Sequence, residues 1–204
     1  DYKKLATEAI KKIVSKKKLP IICGGTGLYL QSIVDGLVVP NVPPNFKLRK
    51  QLEAKTTEKL FEELKRLDPR RAKNIDSKNR VRLVRAIEIA IVLGAVPKFK
   101  LQKNYKFLQI GLRFDREKLR ERIQKRLLKR LNGGMITEVK KLRRRGVSWK
   151  RFNELGLEYR FIANYLKKEI TNNEMIDKLS IAINQYAKRQ MTWFKKDKRI
   201  NWFE

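Results

Sequence analysis

Only two internal stretches of this chain carry a strand pattern, and that scarcity limits its fold more than any other feature. Residues 19–23 (LPIIC) form a short apolar run of β type, and 106–114 (KFLQIGLRF) alternate with period two between aromatic ends. The terminal RINWF offers one further short strand. Elsewhere helical periodicity dominates: 2–17, 27–35, 46–66, 79–93, 115–131, 135–145, 157–168 and 172–196 read as helices, and Asp68-Pro69 opens another short one. So few strands cannot complete a doubly wound sheet. Either the fold is mostly α, or strands that belong to it are missing.

The first strand candidate runs straight into a glycine turn, Gly24-Gly25-Thr26-Gly27, which opens an amphipathic helix ending near Gly36. This strand–loop–helix layout is the one on which α/β proteins build phosphate sites, because backbone N–H groups and the helix dipole favour anions there. The Thr26 hydroxyl adds a polar handle. The simpler alternative is a tight turn that lets helix and strand pack closely. A proline-rich linker follows at 38–45, then 46–66 as one long surface helix. On the 79–93 helix, Val81, Val84, Ile87 and Ile91 form the apolar face.

Charge narrows the partners. Against 21 acidic residues the chain sets 51 basic ones, a formal net charge of +30 across 204 residues. A surplus of this size repels itself unless a polyanion neutralises it, which points to nucleic acid first and an anionic membrane surface second; lysine-rich coding bias is the bland alternative. The N-terminus is a charged amphipathic helix, not a signal peptide. The longest apolar run, 87–96, is interrupted by Glu88 and Gly94 and is too short to span a bilayer. One cysteine, Cys23, excludes an internal disulfide and fits a reducing compartment, so the chain reads as cytoplasmic. The absence of histidine removes the commonest general base and makes a zinc site improbable.

Three basic clusters deserve separate readings. In 115–131, Leu119, Ile123, Leu127 and Leu131 make the buried stripe, while Arg122, Arg126 and Arg130 recur along its edge. Arginines in that position suit the rim of a phosphate pocket; salt bridges to Glu117, Glu121 or a neighbouring helix are the alternative. In the last helix, Met175, Leu179, Ala182, Tyr186 and Trp193 share a face that Arg189 and Gln190 approach. Such polar groups require partners, and aromatics interleaved with Lys188, Arg189, Lys195 and Lys196 suit RNA; a core helix with a solvated basic flank is the alternative. Finally, Arg70, Arg71, Lys73, Lys78, Arg80, Arg82 and Arg85 form a patch that indicates a polyanion and nothing finer.

Taken in order, these segments resemble the tRNA dimethylallyltransferases (tRNA isopentenyltransferases) over essentially the whole chain. The resemblance rests on PIICGGTGLYLQSIVDGL at 20–37, LDPRRAKNI at 67–75 with RLVRAIEI at 82–89, and LRERIQKRL at 119–127. It continues through the GM…EV…L…G pattern at 134–146 to QYAKRQMTWF at 185–194 and INWF at 200–203. It implies an α/β, P-loop NTPase-like core, predominantly helical, formed by 1–39 and 79–204, with a small helical tRNA-binding insertion at 40–78.

The implied reaction moves a dimethylallyl group from its diphosphate to N6 of the adenosine 3′ of the tRNA anticodon, with Mg²⁺, the base being flipped into a channel. Carried over, Thr26 lies near the target base, and Gly24, Gly25, Arg122 and Arg126 hold the diphosphate, with Arg122 stabilising charge on the leaving group. Arg49, Arg82, Arg85, Lys188, Arg189, Gln190 and Trp193 are the implied tRNA contacts. The partners are the anticodon stem-loop and dimethylallyl diphosphate, with no membrane, and the protein is expected to be monomeric. The family's phosphate loop of Gly-x-Thr-x-Ser-Gly-Lys-Thr type and its general-base Asp are not among these residues; neither Asp1 nor Asp35 has a context for that role. The 204 residues alone are therefore expected to turn over little. Three family motifs are also altered, to Ser77-Lys78-Asn79, to Gly156-Leu157-Glu158 and to Ile183-Asn184. Two rivals remain: a non-catalytic tRNA-binding module, and an adenylate isopentenyltransferase, against which the insertion and the charge argue.

Overall fold

The computed structural model describes residues 2–38, 40–98 and 105–204; Asp1, and Val39 of the expected linker, lie outside them. The chain divides into two compact units, Asp1–Ile22 with Leu28–Lys106 and Cys23–Gly27 with Phe107–Glu204.

The first unit is helical. Helix α1 (Tyr2–Ser15) and helix α2 (Gly27–Val34, from Leu28 onward in this unit) are tied by a Tyr2–Tyr29 ring stack with centroids 4.4 Å apart. The Lys3 ammonium donates to the Gly36 and Leu37 carbonyls at 3.0 Å each, in the segment that follows α2. Between these helices no strand forms at 19–23, contrary to the sequence expectation; the segment is irregular, with Leu19 84% and Ile21 82% exposed. A strand exists only as part of a ladder, and among the described residues none lies alongside to pair with it.

The expected 46–66 helix is two helices, α3 (Phe46–Glu53) and α4 (Thr57–Leu67). The break follows from local chemistry. Thr56 adopts an extended conformation and its hydroxyl accepts from the Lys59 N–H, as Asn45 does for Leu48 at the start of α3. Arg80 ties down carbonyls at and just past the end of α3, its guanidinium donating to Leu52, Glu53 and Lys55 at 3.0, 2.6 and 2.5 Å. Nor are these surface helices alone, since Leu52, Leu60 and Leu64 are fully buried.

Asp68-Pro69 opens α5 (Pro69–Ala72) as expected, Asp68 accepting from the Arg71 N–H at 2.8 Å. Burial raises the Asp68 pKa, but the Arg71 and Val96 N–H groups and the charges of Arg70 and Arg71 leave it below the usual range.

Helix α6 (Arg80–Leu93) turns Ile87 and Val84 to the core as expected, but Val81 and Ile91 of the expected face point outward. Leu83, Ala86, Ile87 and Ala90 are buried with Leu52, Leu60, Leu64 and Val42, whereas Val81 is 80% and Ile91 49% exposed. RVRLVRAIEIAIVL is apolar on more than one side, so its period cannot choose; the helices α3–α5 choose for it. This core joins the expected insertion, 40–78, to α6.

The second unit holds the only sheet among the described residues, a parallel pair of β1 (Gln109–Leu112) and β2 (Ile200–Phe203). Gly111 faces Trp202, and a Cβ there would come within 2.6 Å of the indole. Helix α7 (Arg116–Arg130), capped by Asp115, passes through a π turn at Leu131–Met135 into α8 (Ile136–Arg144). A helix the sequence reading lacked, α9 (Trp149–Leu155), precedes α10 (Leu157–Leu166). The long α11 (Asn172–Phe194) starts on a reciprocal Thr171–Glu174 capping box. Met135, Val139, Phe152, Ile162, Ala163 and Met175 form the core, and Ser180 of α11 donates to Gln124 of α7 at 3.0 Å. No helix of the described residues is long and apolar enough to cross a membrane.

Candidate functional site

The glycine turn and the C-terminal helix meet inside the second unit. Gln190 on α11 donates from its side-chain amide to the Gly25 carbonyl at 3.0 Å. The space a Cβ on Gly25 would fill is occupied by that carboxamide, its Cδ 2.9 Å away. One helical turn on, the Trp193 indole fills the equivalent space at Gly27, its Cε2 2.6 Å away. The rigid indole requires a glycine at Gly27, while at Gly25 the end of the flexible Gln190 side chain would have to give way; the turn does pack closely, though the helix involved is α11. Gly24 faces open space. Thr26, between the two contacts, is exposed and its hydroxyl is unbonded among the described residues.

On α7 the three edge arginines separate. Arg130 forms an ion pair with Glu158 of α10 at 2.5 Å, the alternative the sequence left open. Glu158 is also one of the altered family positions. Arg122 remains exposed with its guanidinium 4.3 Å over the Phe114 ring, and Arg126 is exposed with no ion pair among the described residues. Only Leu127 of the expected stripe is fully buried; Leu119, Ile123 and Leu131 are half-buried. Along α11, Lys188 and Arg189 are exposed, and the Arg189 guanidinium lies 6.0 Å from the Tyr186 ring centroid.

In the first unit much of the basic patch is spent internally. Glu88, 1% exposed, receives both Arg49 nitrogens at 2.8 Å, the Arg85 guanidinium at 3.0 Å and the Asn45 backbone N–H at 2.8 Å. The Arg49 hydrogen bonds outweigh burial and, with Asn45 and Arg85, hold the Glu88 carboxyl at a pKa of about 2. Arg85 also reaches the Val42 carbonyl, Arg70 the Val96 carbonyl, and Arg80 the end of α3. Arg49 and Arg85 thus brace the chain entering α3, and Lys73, Lys78 and Arg82 are the members both exposed and without an ion pair among the described residues. Asn79, in the altered motif, caps α6 by accepting from Arg82 N–H at 3.1 Å. Sequence reasoning missed Glu88 as an organising residue. Its signal was a lone carboxylate inside the apolar run, three residues after Arg85.

No group of three or more Cys, Asp or Glu side chains among the described residues is arranged to hold a metal ion.

The sequence model of one family, described as IPP transferase, matches residues 1–197. The chain belongs to that family. Among its relatives, "tRNA dimethylallyltransferase 1" of Geotalea daltonii is 40% identical over 208 residues, covering 100% of this chain and 67% of the relative. The crystal structure of the full-length tRNA isopentenylpyrophosphate transferase from Bacillus halodurans matches with a TM-score of 0.67 and 32% identity, over 100% of this chain and 65% of that one. A eukaryotic dimethylallyltransferase acting on tRNA, 21% identical, shares the fold with a TM-score of 0.71. The chain thus spans about two thirds of the length of the Geotalea daltonii and Bacillus halodurans proteins, and 95% of it covers 51% of the eukaryotic one. These neighbours bear out the expected α/β, P-loop NTPase-like class and its transferase family, and the helices seen here are the predominant part of it.

Proposed function

We propose that this chain carries the acceptor- and diphosphate-binding part of an enzyme that prenylates N6 of the adenosine 3′ of the tRNA anticodon. The observation that carries the reading is the family match along the chain, including the glycine loop with its exposed Thr26. In the reaction the C1–O bond of dimethylallyl diphosphate breaks, a C1–N6 bond forms, and N6 loses a proton to a base. Diphosphate departs with the C–O electron pair. Arg122 and Arg126 are the exposed guanidinium groups suited to that developing charge, and Gly24 and Gly25 offer backbone to the same anion. Thr26 presents its hydroxyl to the acceptor adenine. Arg82, Lys188 and Arg189 are solvent-facing cations for the anticodon stem-loop, while Arg49 and Arg85 act through the Glu88 brace. The general base and the Mg²⁺ ligands are not assigned among these side chains, and no step here runs through the metal. A monomer working in the cytoplasm completes the reading.

Binding separates this from a passive tRNA-binding module. Dimethylallyl diphosphate should bind the chain with an affinity that falls at least tenfold in Arg122→Ala. tRNA binding should weaken steeply with salt. tRNA binding that is wholly indifferent to Thr26→Ala and Arg122→Ala, with no measurable affinity for the donor, would favour the passive module. The charge of +30 supports tRNA over a free nucleotide, which needs no such surface.

A further inference from the structure

Gln190 and Trp193 stand three residues apart on α11, one helical turn, and each meets a glycine on either side of Thr26. The Gln190 amide holds the Gly25 carbonyl at 3.0 Å, and the Trp193 indole lies where a Gly27 side chain would begin. Thr26 has no side-chain anchor of its own among the described residues, so the direction of its hydroxyl is set by the two flanking peptides. Lys188 and Arg189, on the same helix, are exposed and make no contact of this kind. One helix thus carries two sets of polar residues with different work.

We propose that Gln190 and Trp193 are positioning residues which hold the Gly24–Gly27 loop on α11 and thereby aim the Thr26 hydroxyl, leaving RNA contact to Lys188 and Arg189. The meaning of Thr26 rests on the function proposed above; the loop-holding role does not. The arrangement makes α11 a single rigid part that couples the RNA-facing cations to the loop. It also gives both glycines a purpose in the same unit: an alanine at either position would displace the side chain that orders the loop.

The test is ¹⁵N relaxation of the Gly24, Gly25, Thr26 and Gly27 amides in the 204-residue protein, in the parent and in Gln190→Met, which keeps side-chain length but cannot donate. The parent loop should have order parameters of about 0.85, and Gln190→Met should bring Thr26 and Gly27 below about 0.6, with the rest of α11 unchanged. Gly25→Ala, which perturbs the same contact from the loop side, should produce the same loosening and provides the answer should Gln190→Met fold poorly. A loop that stays rigid in both variants overturns the proposal. So does a Gln190→Met protein that loses tRNA affinity while its loop remains ordered, since that outcome makes Gln190 an RNA contact. Loop loosening in a protein whose parent form does not bind tRNA upholds the positioning role and removes the function proposed for the site.

Discussion

Replacing Glu88 by glutamine removes one charge from a buried carboxylate that two arginines and a backbone N–H share. The side chain keeps its shape and one acceptor oxygen, so the change isolates charge from packing. A carboxyl carried from 4.5 down to about 2 contributes stability that is complete above the unfolded value and lost as the pH falls through the folded one. At neutral pH that contribution is about 3 kcal/mol, the same order as the cost of breaking a buried ion pair by deleting one partner. All three tryptophans lie beyond residue 148, in the other unit, so fluorescence would miss the effect. Urea unfolding read by pulsed hydrogen exchange in α6 peptides reports the relevant helix. Glu88→Gln should be less stable than the parent by about 2–3 kcal/mol at neutral pH, and the gap should close between about pH 4.5 and pH 2 as the parent protonates. A gap below about 0.5 kcal/mol at neutral pH, or one that stays constant into acid, would refute the assignment of Glu88 as the brace.

Other consequences are simpler to read. Leu83→Ala should cost about 2–5 kcal/mol in chemical denaturation and Val81→Ser less than about 0.5 kcal/mol, because α6 buries the former and exposes the latter. Arg80→Ala should destabilise the first unit by about 1–3 kcal/mol through the loss of three guanidinium hydrogen bonds to carbonyls at the end of α3. Arg82→Ala should leave stability intact while lowering the salt slope of tRNA binding by about one. Phe114→Leu should weaken binding of dimethylallyl diphosphate about two- to fivefold, measured by calorimetry, because the ring over which Arg122 rests is gone.

Local signals were legible in the sequence and long-range ones were not. The Asp68-Pro69 start, the boundaries of α2 and the strand in RINWF follow from caps, glycine and alternation, all within a few residues. Helix α9 carried a comparable signal, Ser148 before Trp149 with Gly156 behind, which its short length concealed. The split between α3 and α4 turned on Thr56, one cap inside a continuous helical pattern. The buried face of α6 and the missing ladder at 19–23 depend on neighbours that periodicity does not name. In the site, the types of residue were readable while their pairings were not. Gln190 and Gly25 stand 165 positions apart, and nothing in either segment announces the other. The arginine clusters looked alike in sequence; only the partners Glu88, Glu158 and the end of α3 separate braces from free cations.

The most direct measurement is mass spectrometry of nucleosides from tRNA incubated with dimethylallyl diphosphate and this protein. It should be run with the 204 residues alone and with the part of the Geotalea daltonii relative that the match leaves uncovered joined to them. The account predicts little product from the 204 residues and N6-dimethylallyladenosine from the joined protein, lost on Thr26→Ala or Arg122→Ala. A joined protein that binds both tRNA and the donor yet forms no product would contradict it.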